Sequence, residues 1–414
     1  MIIGSINNET IKIINHNNPT TIVFASHFNE YLEEDFFPDS VEKIIFGYKS
    51  NIINFDYQLI QMICEEDLFT DDNSFSKFNS KSINNFEFKT NIKWIIFPQD
   101  STFNQNLTTL PKNLEFLSLG YNYTKSLKTL PIGLKYFILS TNIYQSDLCK
   151  IPEGIEYFGL KTSNDNILSI VPKMTKYLEL DTYRNSNVVI SNNQVLENLP
   201  DGIEVLKLKC SYNSELKNLP KFLKKLHISK LYSLDTLLNL PPLLESLDIT
   251  FSSKIHNNSN NDIYFSNLPN CLKDLSIDVN FSYGSIIKPK LNLNNLPESL
   301  FKLSIKTYLF DGIFDNLPNC LEEFETEIYE TDEIDYNNIF NNLPRNLKKF
   351  KIEKPKKYDK NILINLSIKN APDLLEKIIV PENIYVDLDK KIEANKYDNK
   401  FKILDYADLY RELN

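Results

Sequence analysis

Glu197–Lys209 reads ENLPDGIEVLKLK. An Asn-Leu-Pro step is followed by apolar residues three, six and eight positions after the proline: Ile203, Leu206 and Leu208. The phrase returns as KNLPKFLKKLHIS, LNLPPLLESLDIT, SNLPNCLKDLSID, NNLPESLFKLSIK and NNLPRNLKKFKIE. With each proline taken as offset zero, Pro111, Pro131, Pro152, Pro172, Pro200, Pro220, Pro241, Pro269, Pro297, Pro318, Pro344 and Pro372 mark a unit of 20 or 21 residues, with longer copies interspersed. Proline fixes φ and pushes the residue before it into an extended conformation. Asn two places before it suits a bend. The alternation at +6 and +8 has the period of a strand with one buried face. Each copy therefore reads as a corner followed by a short strand, one rung of a parallel sheet.

A rung cannot bury its apolar side alone, and stacked rungs share a continuous core. This accounts for 414 residues without the several separate cores that such a length otherwise implies. The expected fold is a leucine-rich-repeat solenoid. Its parallel β-sheet lies on the concave face, with short extended or 3₁₀ convex segments and little helix. The repeats weaken upstream but persist in FFPDSVEKIIFG, KTNIKWIIF (with Lys89 in the place of proline) and TTIVFAS. Residues 1–21 read as an N-terminal cap, 22–380 as the solenoid with 47–88 degenerate, and 381–414 as a C-terminal cap. Within that cap, NKFKILDYADLYREL reads as a short helix. The Asn-, Ser- and Asp-rich insertions at 183–196, 251–266, 279–294, 329–340 and 355–368 read as convex loops. Pro318 departs from the pattern, with Thr326 in the third apolar place.

Composition is that of a folded chain: 42% hydrophobic, 24% charged, with 27 Phe and 22 Tyr. The net charge of −10 argues against a nucleic-acid or anionic-membrane binder. No stretch approaches a membrane-spanning apolar run. Five widely spaced cysteines suggest no disulfide framework, which fits a reducing, intracellular compartment. Cys271 and Cys320 share offset +2 and read as small buried apolar residues. The four histidines are scattered, none at metal spacing, and no catalytic motif stands out. The expectation is a non-enzyme with no cofactor or metal.

The informative residues are those expected on the concave face, at offsets +5, +7 and +9. Offset +5 places Trp94, Phe116, Tyr136, Tyr157 and Tyr177 on successive rungs. Rungs about 4.8 Å apart allow such rings to stack. The row is either cross-strand packing or an exposed apolar patch for a protein partner. Charges on the same face are zoned: Lys207, Lys209, Lys225, His227 and Lys230, then Asp248, Asp274 and Asp278, then Glu323, Glu325 and Glu327, then Lys349, Lys351 and Lys354. Such zones set the register of a long partner or simply mark a solvated face. The candidate partner-binding residues are Trp94, Phe116, Tyr136, Tyr157, Tyr177, Lys207, Lys225 and His227.

HFNEYLEEDFFPDSVEKIIFG and TFNQNLTTLPKNLEFLSLG resemble the FNIP repeat, a leucine-rich-repeat variant of social amoebae and of giant DNA viruses that infect amoebae. Phe28-Asn29, Phe103-Asn104, Pro38, Pro111, Phe46-Gly47 and Leu119-Gly120 carry the resemblance. It implies an interaction scaffold for a protein partner, in host cytoplasm if the chain is viral. It also implies a possible role as a ubiquitin-ligase substrate adaptor in members with an F-box, for which there is no room ahead of Phe28. A structural or self-associating protein, associated with a particle, is the alternative reading.

Overall fold

A computed structural model gives the architecture. It describes residues 2–3, 13–14, 16–25, 36–48, 88–97, 104, 107, 109–120, 123–139, 150–161, 170–181, 189–190, 199–209, 211–212, 218–231, 237, 239–251, 263–265, 267–279, 291–307, 314, 316–327, 340, 342–353, 364–368, 372–380, 384–388 and 402–404. The chain forms two compact units: unit 1 is Met1–Val188 with Asn198–Leu206, and unit 2 is Val189–Glu197 with Lys207–Asn414.

Each unit is a ladder of parallel rungs of the leucine-rich type. In unit 1, Thr21–Ala25, Lys43–Tyr48, Trp94–Ile96, Phe116–Leu119, Tyr136–Leu139, Tyr157–Lys161 and Tyr177–Asp181 pair in chain order. In unit 2, Lys225–Leu231, Ser246–Phe251, Asp274–Val279, Lys302–Thr307, Glu323–Glu327, Lys349–Glu353 and Lys377–Ile379 do the same. The pairing register matches the offsets read from sequence. Leu226, Leu247, Leu275, Leu303, Phe324 and Phe350 lie side by side, all at +6.

The corner is a turn closed by the proline itself. Its carbonyl accepts a hydrogen bond from the amide at +3, as from Leu114 to Pro111 (3.1 Å) and from Leu272 to Pro269 (3.0 Å). Lys89 closes the same turn without a proline ring, to Ile92 at 3.2 Å. The +3 side chain is buried, and the amides at +4 and +5 then donate to the +4 carbonyl of the rung before. Asn218 and Asn295, two places before their prolines, take positive φ angles of 56° and 133°. Asn tolerates this region better than most residues because its short amide bonds locally.

At several rungs a small side chain with a donor at +2 stitches the turn to the one before. Asn91 Nδ2 donates to Val41 O (2.8 Å), and Ser299 Oγ donates to Leu272 O (2.7 Å). Cys271 and Cys320 belong to this set. They are half-buried and exposed respectively, not buried as expected. Their thiols donate to the carbonyls of Pro242 (2.9 Å) and Glu298, so they act as serine-like donors at the corner.

The main core lies behind the strands, at +3, +6 and +8. Aromatic side chains stack through it. Phe24, Phe46 and Phe97 form a column with ring centroids 5.0 and 4.7 Å apart, and Phe324 stacks on Phe350 at 5.4 Å. Thr326 is buried in its apolar place.

Several expectations change. Lys43–Tyr48 pairs directly with Trp94–Ile96, so residues 49–87 interpose no rung between them; their own arrangement lies outside the described residues. Four of the insertions contribute strands: Val189–Ile190 pairs with Ser211–Tyr212, Ile263–Tyr264 with Leu291–Asn292, and Ile364–Ile368 with Ile384–Leu388. The last two of these pairs form separate two-stranded parallel sheets. Lys402–Leu404, expected within a helix, is a strand paired with Lys377–Ile379, so the ladder runs beyond Val380. At the other end Ile2–Ile3 adds a strand beside Val23 and Phe24. A helical turn follows and ends at Asn18, whose positive φ of 42° is a common way to stop a helix.

Candidate functional site

The open face of each sheet carries offsets +5, +7 and +9, and the two units differ there. In unit 1 the first rungs are unbroken apolar runs, IVF, IIF and WIIF. A strand apolar at every position is buried on both faces. Accordingly Val23, Ile45, Trp94, Ile96, Phe116, Ile138 and Tyr157 form a second hydrophobic cluster, with Tyr136 and Tyr177 packed against it.

The aromatic row exists as read. Trp94, Phe116, Tyr136, Tyr157 and Tyr177 are register neighbours. Trp94 meets Phe116 edge-on at 5.6 Å, and Tyr157 stacks on Tyr177 at 4.4 Å. It is not an exposed patch throughout: Trp94 is 6% exposed, Phe116 1% and Tyr157 3%. Tyr136 and Tyr177 are half-buried. The Tyr157 hydroxyl donates to the buried Glu179 carboxylate at 3.1 Å. Packing accounts for the three buried members.

In unit 2 most rungs alternate, with Ser304 of Lys302–Thr307 a buried exception. Ser246–Phe251 and Asp274–Val279 alternate half-exposed and buried positions along their whole length, and Glu323–Glu327 and Lys349–Glu353 do so as well. The open face is therefore a band of polar side chains. Lys225 stands exposed and His227 half-buried at its start. Lys207, half-buried, occupies the same offset as His227 in its own rung.

The charge zones neutralise one another across rungs. His227 Nδ1 lies 2.7 Å from Asp248 Oδ2, and its Nε2 2.8 Å from Ser229 Oγ. Burial pushes the Asp248 carboxyl up, but hydrogen bonds with His227 and Ser276 outweigh it and hold the group below the usual carboxylate range. Glu323 lies between Lys302 (3.8 Å) and Lys349 (3.7 Å). Lys351 reaches Glu325 at 3.0 Å and also contacts Glu353, which takes Lys306 at 2.7 Å. Glu353 is half-buried; burial raises its carboxyl, yet Glu325, Lys306 and Lys351 bring it down to about 2.

A folded-state value below the unfolded one gives stability that is present above the unfolded value near 4.5 and lost as pH falls toward 2. For a partly solvated cluster this contribution is about 1 kcal/mol. Glu353→Gln should remove that share of the acid dependence. Urea melts of wild type and variant at pH 7 and pH 3 check it. Equal pH dependence in both would sink the assignment.

A third row lies along the corner edge, at +4, and the sequence reading missed it. In unit 1 it runs Glu42, Lys93, Glu115, Lys135, Glu156, Lys176, Glu204. In unit 2 it runs Lys224, Glu245, Lys273, Phe301, Glu322, Lys348, Glu376. Backbone hydrogen bonds join successive members, and ion pairs join several: Lys93–Glu42 (2.8 Å), Lys273–Glu245 (2.9 Å) and Lys348–Glu322 (2.6 Å). A comparison of offset +4 along the repeats would have revealed it.

Among the described residues no group of three or more His, Cys, Asp or Glu could hold a metal ion, and no helix is long and apolar enough to cross a membrane. Tyr123 is buried, and desolvation, set against a backbone hydrogen bond at Leu107, pushes its hydroxyl to about 12.

The family model named FNIP Repeat matches residues 17–49 and 103–142. Among solved structures the chain is similar to CroV588 of the giant virus CroV, described as a novel circular LRR protein structure. The identity is 20% and the TM-score 0.44, with 93% of this chain and 56% of that chain covered. The chain thus spans little more than half the length of that neighbour. No curated protein matches.

Proposed function

We propose that this chain, whose residues 17–49 and 103–142 are FNIP repeats in a leucine-rich-repeat fold, is a non-enzymatic scaffold that binds a protein partner through the open face of unit 2. FNIP and leucine-rich repeats typically serve as scaffolds of this kind. One observation carries the choice of face. From Ser246 to Glu353, four of the five rungs hold half-exposed polar side chains at fixed offsets on a strand-built surface; in the other, Lys302–Thr307, Ser304 is buried. Side chains on strands are pre-positioned, so a partner orders few of them on binding. The mixed charge of the face calls for a partner of mixed charge, whose register the zones would set.

The buried part of the aromatic row does not need to be in the site. Lys225 and His227 stay in it, beside Asp248 and Ser276.

Ser276→Trp places a large ring in the middle of this face. The test is affinity capture from cell extract with wild type, with Ser276→Trp and with a Tyr136→Ser/Tyr177→Ser double variant, each checked by thermal melting. The expected result is a captured protein lost only with Ser276→Trp, at an unchanged melt. Retention by Ser276→Trp and loss with the tyrosine variant would move the site to unit 1 and overturn the choice of face.

A further inference from the structure

We propose that the corner edge of unit 2 is a two-fold interface with a second copy of this chain, centred on Phe301. Read by charge, its +4 row is plus, minus, plus, neutral, minus, plus, minus: Lys224, Glu245, Lys273, Phe301, Glu322, Lys348, Glu376. Reversing the row inverts every sign. An antiparallel second copy therefore sets Lys273 against Glu322, Glu245 against Lys348, Lys224 against Glu376, and Phe301 against itself. A shift of one rung sets several like charges together, so the pattern also fixes the register.

The apolar Phe301 is what makes this possible. Strict alternation over seven positions reads the same in both directions and puts like on like when reversed. Unit 1 has that arrangement, from Glu42 to Glu204. In unit 2 the alternation slips its phase at Phe301. Within the chain the slip gains little, because Lys273 and Glu322 then lie two rungs (about 10 Å) apart and attract only weakly across roughly one Debye length. It is accounted for by a partner whose row runs the other way.

Exposed apolar side chains support the same edge. Phe222 is 57% exposed, Leu243 51%, Phe301 43% and Leu374 51%. Among the described residues these are the exposed large hydrophobics of unit 2, and all four lie on the corner, at +2 or +4. The antiparallel alignment sets Phe222 against Leu374, giving apolar anchors at both ends and at the centre. The row spans seven rungs, about 29 Å at about 4.8 Å per rung. An isologous contact of this kind is the usual geometry of a homodimer.

On each side of Phe301 the charged members of the row are already coupled. Hydrogen bonding and attraction to Lys273 lower the Glu245 carboxyl, and Lys224 adds to this. Glu322 raises Lys348, opposed by desolvation, with Glu376 contributing. The surface is thus pre-ordered for a partner with the reversed pattern.

This inference does not rest on the open-face reading, since the edge and the face are different surfaces. Light scattering and sedimentation of the full chain test it. Wild type should be a dimer at micromolar concentration. Lys273→Glu alone and Glu322→Lys alone each create two like-charge contacts per dimer and should weaken self-association at least about tenfold. Mixed together, the two variants should form a heterodimer, because each supplies the charge the other needs. Loss of an ion pair inside one chain cannot produce that rescue. A monomeric wild type, single variants that remain dimeric, or a mixture that stays monomeric would each overturn the proposal. If a single reversal unfolds the chain, Phe301→Asp takes its place. It breaks no ion pair; dissociation supports the interface and an unchanged mass overturns it.

Discussion

Phe116→Ala should lower the stability of unit 1 by about 3–5 kcal/mol, the cost of a large cavity in a packed core. Phe116 is 1% exposed and lies between Trp94 and Tyr136, with ring centroids 5.6 Å away on each side. Ile96, Ile138 and Tyr157 belong to the same cluster. Removing the ring leaves a void that strands held in register on both sides cannot collapse to fill. Trp94 is the chain's one tryptophan, so its fluorescence reports on this cluster during urea denaturation. A shift of the first transition to much lower urea is the expected result. A change within about 0.5 kcal/mol, as for a surface site, would mean that Phe116 faces solvent and would return the whole row to the binding surface.

The backbone plan was legible in the sequence because one physical requirement repeats in every unit. Proline, a buried residue at +3 and the pair at +6 and +8 are set by local turn geometry and by strand period. Each recurs within some 28 residues at most in the clear repeats. The register of Leu226 to Phe350 follows directly from that arithmetic.

The open face was harder to read, because alternation says which residues share a face but not whether that face is covered. The useful signal was the unbroken run WIIF in unit 1 against the alternating LDIT and LSID in unit 2. The strand at Lys402–Leu404 was missed for a related reason. No proline precedes KIL, and a three-residue apolar stretch fits a helix turn as well as a rung. Cys271 and Cys320 were misplaced because cysteine is usually buried as a small hydrophobe. The turn instead uses the thiol as a donor, as it uses Ser299 and Asn91 elsewhere. The charge zones were found, but their mutual pairing needs the cross-strand register before it can be seen.

Gly159→Val should destabilise unit 1 by about 1–3 kcal/mol through overpacking. Gly159 sits in the strand Tyr157–Lys161, opposite Ile138. A Cβ there would lie 3.2 Å from Ile138 Cγ1 and 3.3 Å from Tyr157 Cε1, and valine adds two further carbons. Its φ lies outside the left-handed region, so the penalty comes from packing and not from backbone strain. Gly133 separates the two effects: nothing lies within 4 Å of a Cβ there. Gly133→Ala should be neutral or stabilising by up to about 1 kcal/mol, through the unfolded chain. The double change Gly159→Val/Ile138→Ala should cost less than the sum of its parts, because the second truncation makes room for the first insertion. Additive costs in that cycle would show that the two side chains do not compete for space. The cluster on the open face of unit 1 would then be looser than Phe116, Ile138 and Tyr157 make it, and a partner could enter it.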